Sequence, residues 1–140
     1  MEQRLFKFHR KEMQMKTISV GQSFKLYMLT LNQCGMNILN MSDELIEYNI
    51  LEEFIIGSTS FFSKFTLDRL LEHGLIDENI YNRSELLQQK VMKLDNSNLW
   101  NVESIKKDSE WKEVLELADK IKELIYEKWT MDEINQIFTM

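Results

Sequence analysis

The stretch WKEVLELADKIKELI, Trp111 to Ile125, decides the fold class. Trp111, Val114, Ala118, Ile121 and Ile125 recur at steps of three and four residues, which lines them along one side of a helix. Leu115 and Leu124 widen the stripe, and Glu110, Lys112, Glu113, Lys120, Lys122 and Glu123 are expected on the wet side. Asp108 or Ser109 supplies the cap. Two heptads are too few for a stable coiled coil, so the stripe is expected to be core, and a homodimer built on it is not favoured.

The same reading extends in both directions. Towards the C-terminus, Thr130 followed by Glu133 has capping-box spacing and opens a short helix through Ile134, Ile137 and Phe138. Towards the N-terminus, Trp100, Val102 and Ile105 form a short helix, preceded by a loop over Asp95 to Asn98. Asp77 caps a helix that continues through Ser84, Leu86, Leu87, Val91 and Leu94. Gly74 is placed as a left-handed stop, with Leu75 and Ile76 folding back as its hydrophobic contact. Before it, a helix is expected over about 61 to 73, restarting at Thr66. Ser42 with Asp43 and Glu44 caps another over about 43 to 56, ended by Gly57 and Ser58, Thr59 and Ser60. Helical spacing also runs from Val20 to Leu39.

Proline is absent where average usage would give about seven, and there are four glycines, so the punctuation of sandwiches and barrels is missing. An all-α fold follows: one bundle of about five to seven helices over residues 17–140, at least half of the chain helical. Residues 1–16 form a basic, aromatic extension carrying Arg4, Lys7, Arg10, Lys11 and Lys16 with Leu5, Phe6 and Phe8.

The net charge is −6, which disfavours phosphate backbones as direct partners. Its distribution says more, because residues 41–80 hold nine acids against two bases, a net of −7. The single Cys34 cannot form an internal disulfide, no run reaches the ~18 apolar residues of a membrane span, and a cytoplasmic protein is expected. Neither His9 nor His73 has a carboxylate three residues upstream, and zinc spacing and glycine-rich phosphate loops are absent. No metal, cofactor or catalytic residue is expected. Cys34 on an apolar stripe reads as core. The stretch Leu67 to Asp77 could be taken for half of a winged helix, but its helix carries Lys64 and Arg69 against Asp68 and Glu72, with no basic hairpin after it.

What remains is an acidic module with hydrophobes among its acids, suited to a cationic protein. Size, charge, the stretch Leu67 to Asp77 ending in Gly74, Leu75, Ile76 and Asp77, and the stretch Trp111 to Asp119 ending in Ala118 and Asp119 carry a resemblance. On these features the chain resembles the small acidic immunity proteins that bacteria make beside polymorphic and contact-dependent toxins. The resemblance implies a cytosolic inhibitor that covers a basic nuclease toxin domain; it carries over no functional residue. A regulatory or adaptor protein, or a phage-encoded acidic decoy, is the alternative. The charge map alone selects the expected interface: Asp43, Glu44, Glu47, Tyr48, Glu52, Glu53, Phe54, Asp68 and Glu72, with Tyr48 and Phe54 as anchors. The competing reading makes either ring core.

Overall fold

The computed structural model describes residues 18–140; the basic extension over 1–16 lies outside them. Helix accounts for 79% of the described residues, no strand occurs among them, and the expected all-α bundle is what forms. Seven helices follow in order. α1 is Val20–Leu31, and a 3-10 turn spans Met36–Asn40. α2 begins as Asp43–Ile46, winds as a π-helix over Glu47–Phe54 and returns to α over Ile55–Phe61. Then come α3 Lys64–Glu72, α4 Glu78–Asp95, α5 Val102–Lys107, α6 Ser109–Lys128 and α7 Met131–Phe138.

Caps set most of these limits. Ser42 accepts from the Leu45 amide, Asp77 from Ile80, and Asp108 from Glu110, each satisfying an amide that the first turn leaves open. Thr130 and Glu133 complete the capping box. At Gly74 the backbone turns left-handed with φ 71°, and the Leu75 amide donates back to the Leu70 carbonyl at 3.0 Å. Leu75 and Ile76 are buried as the stop requires. The chain then enters α4 directly, where a winged helix would place its hairpin.

Three boundaries and one side-chain direction differ from the spacing. α1 stops at Leu31, and Cys34 and Ile38 reach the core from the turn and the 3-10 segment instead. α3 is capped by Ser63, not Thr66: the Thr66 amide donates to Ser63 Oγ. α2 runs through Gly57 to Phe61, because the hydroxyls of Ser58 and Thr59 return hydrogen bonds to the Ile55 carbonyl and leave the helix intact. Gly57 is there for clearance: a Cβ would stand 2.5 Å from Thr30 Oγ1, where α1 crosses α2. Lys122, expected on the wet side, reaches inward to donate to the Cys34 carbonyl at 2.6 Å, while Asp119 accepts from the Met36 amide at 3.0 Å. Together they pin the connection after α1 to α6.

The core lies between α4 and α6 on one side and α1 with the end of α2 on the other. Trp111, Val114, Ala118, Ile121 and Ile125 are all buried, so the stripe is spent inside the chain. Trp111 donates from Nε1 to the Leu99 carbonyl at 2.7 Å and packs on Trp100. Tyr27 packs on Phe62 at 5.0 Å and shares a 2.6 Å hydrogen bond with Ser84, giving the buried hydroxyls of α1 and α4 their partner. Burial drives the Tyr27 phenol upward, against the Ser84 hydrogen bond. No helix among the described residues is long and apolar enough to cross a membrane.

Candidate functional site

The acidic pole is organised by the winding of α2. In an α-helix Glu47 would lie above Ile50, Leu51 and Phe54, on the side that must be buried. The π turn gives less rotation per residue, so Ile46, Ile50 and Phe54, spaced by four, stay in register with the core, and Glu47 lies about a quarter-turn from that row. Phe54 is 0% exposed and stands 6.1 Å from Phe62, edge to face. It is a core residue, and its selection as a partner anchor is corrected: a ring enclosed on every side has no face for a ligand.

Tyr48 is different. It is 51% exposed, one turn from Leu45 at 49%, and Met41 beyond it is 39% exposed. Asn49 ties this patch together by donating from Nδ2 to the Leu45 carbonyl at 2.9 Å, with Met41 Sδ at 4.0 Å. Glu44 and Glu52 lie one turn to either side of Tyr48, and Glu47 is its neighbour; all three are exposed, and Glu53 is half-buried. Among the described residues, none of these four carboxylates has an ion-pair partner, whereas Asp43 is taken by Lys106. An apolar patch of three side chains thus sits among carboxylates that no described residue neutralises.

Asp68 and Glu72 belong elsewhere. They ride on α3, which packs chiefly on α1 and α4, and the structure does not join them to the Tyr48 group. Asp68 is also engaged: Tyr81 donates to Oδ1 at 2.6 Å and Lys64 approaches Oδ2 at 3.2 Å. The Tyr81 hydrogen bond, then Lys64, hold its carboxyl below the usual carboxylate range despite some desolvation. Glu72 is exposed beside it. The charge map missed Met41 and Leu45, the apolar half of the patch, since the wheel of an α-helix gives Leu45 no distinction from its buried neighbours.

Other chemistry finds little here. Cys34 is fully buried, and desolvation pushes its thiol far up in spite of Lys122, so it is a poor source of thiolate. No three His, Cys, Asp or Glu side chains cluster as a metal site among the described residues. His73 is exposed with Nδ1 against the Arg69 carbonyl at 2.9 Å; His9 lies outside the described residues. No known family model, curated protein or solved structure gives a significant match to the chain.

Proposed function

We propose that the chain is a cytosolic protein-binding inhibitor without catalytic activity, an immunity protein that neutralises a basic nuclease toxin. The observation that carries this reading is the exposed patch of Met41, Leu45 and Tyr48 set among Glu44, Glu47 and Glu52, which have no ion-pair partner among the described residues. A nuclease presents cations along the cleft that holds its phosphate backbone. Carboxylates spaced along α2 meet those cations, accelerate encounter and fix register, while the apolar patch, once desolvated, slows dissociation. Tyrosine suits the centre of such a patch, because it offers a large ring and a hydroxyl at little cost in side-chain entropy.

An acidic decoy for some other nucleic-acid-binding enzyme would use the same surface, and the experiment separates the two. The product of the gene directly upstream is purified, and its cleavage of plasmid DNA and of transfer RNA is followed while the chain is titrated in. The proposal expects cleavage to stop at about one chain per toxin domain. Undiminished cleavage by that neighbour at a several-fold excess of the chain contradicts it.

A further inference from the structure

A cavity of about 280 Å³ opens between the 3-10 turn, the end of α5 and the first turns of α6. Its floor is apolar, formed by buried Ile105 and Leu115 with half-buried Met36 and Leu39. Its rim carries Lys106, Lys107 and Lys112. In a chain of net charge −6 these lysines are a local reversal of sign, and one of them, Lys106, pairs with Asp43 at the start of α2.

The three are not equivalent. Lys106 is bound to Asp43, which fixes its ammonium at the rim, and Lys107 pairs with Glu103 at 3.3 Å. Lys112 has no ion-pair partner among the described residues and is the charge left over for a ligand. Asp108 also lines the space, but its Oδ1 accepts from the Glu110 amide at 2.8 Å and is occupied as a cap. α6 begins at the same rim, so the positive end of a 20-residue helix adds to the field.

An apolar floor with a few convergent polar groups is the usual construction of a small-ligand site, and this volume lies just below their range of about 300–1,000 Å³, which suits a small ligand only. Among the described residues one cation without an ion-pair partner stands beside two neutralised ones, which selects a monoanion over a polyanion. A cationic head would meet three ammonium groups, and a neutral one would leave Lys112 unanswered. We infer that this cavity binds a small amphiphilic carboxylic acid, its carboxylate on Lys112 and its alkyl or aryl body on Met36, Leu39, Ile105 and Leu115. The site is separate from the acidic patch and does not depend on the function proposed for it.

The test is a nuclear magnetic resonance titration of the full chain, methyl-labelled, with octanoate, octylamine and octanol. The methyl signals of Met36, Leu39, Ile105 and Leu115 are expected to shift on one saturable curve with octanoate, and octylamine is expected to leave them in place. Lys112→Gln, at an exposed position, should weaken octanoate by about five-fold, the span of one surface charge pair, with the octanol response and melting temperature unchanged. Three results overturn the inference: no saturable shift, shifts spread over exposed apolar residues such as Leu29 and Leu86, or an equal response to octylamine.

Discussion

Trp111 is satisfied over its whole length, its ring buried and its indole N–H held by the Leu99 carbonyl. Trp111→Ala removes both and should cost on the order of 3 kcal/mol or more, read as a fall in chemical-denaturation midpoint. Asp68 gives a smaller, pH-dependent effect. Its folded carboxyl is held below the ordinary range by Tyr81 first, so its contribution is complete above that range and is lost as pH falls through the lowered value. Thermal melts at pH 7 and pH 3 should therefore show a slightly larger loss for the wild type than for Asp68→Asn; exposure of the site keeps the difference small. Equal losses would mean that Tyr81 and Lys64 do nothing for Asp68. Residue identity was legible in the sequence where local chemistry decides it: Ser42, Asp77 and Thr130 cap what they were expected to cap. Phe54 and Tyr48 were hard to separate, with core the favoured reading for Phe54 alone, since both are aromatic, both lie among acids, and which one faces in depends on the winding between them.

That winding belongs to α2. Its π segment explains how a helix with hydrophobes on nearly every side buries Ile46, Ile50, Leu51 and Phe54 and still shows Leu45 and Tyr48 to solvent. Nothing in the residue types announces a π turn, because the i→i+5 pairing is selected by what the bundle must bury, and periodicity at 3.6 misplaces Glu47. The end of the same helix failed for a related reason. Gly57 and three hydroxyl residues read as a stop, but the Ser58 and Thr59 hydroxyls return to the Ile55 carbonyl and the glycine admits Thr30. Gly57→Ala tests this. In an isolated helix the change gains about 1 kcal/mol, whereas here the added methyl meets Thr30, whose hydroxyl is fixed to the Leu26 carbonyl, and overpacking of about 1–3 kcal/mol should win. A lowered melting temperature is expected; a raised one would show that Thr30 yields.

At the scale of the molecule, absent prolines and repeated helical spacing made the all-α bundle legible, while the grouping of the candidate interface residues needed three dimensions. The nine acids of residues 41–80 read as one pole along the chain, and folding divides them among α2, with its apolar patch, α3, where Asp68 is already engaged, and the start of α4, where Asp77 is a cap. The central claim is that the exposed face of α2 receives a cationic protein, and kinetics test it most directly. Glu47→Lys with Glu52→Lys suits the purpose, since both side chains are exposed and neither caps or pairs with another residue described. Association and dissociation rates with the nuclease toxin would be measured across salt concentrations for the wild type, this charge-reversed variant and Tyr48→Ala. The account predicts a wild-type association rate that falls as salt rises, a charge-reversed variant that associates at least ten-fold more slowly at low salt, and a Tyr48→Ala variant that mainly dissociates faster, all with unchanged melting temperatures. Association that ignores both salt and the reversal, with unaltered dissociation from the Tyr48 variant, would contradict the claim and leave this face a solubilising surface.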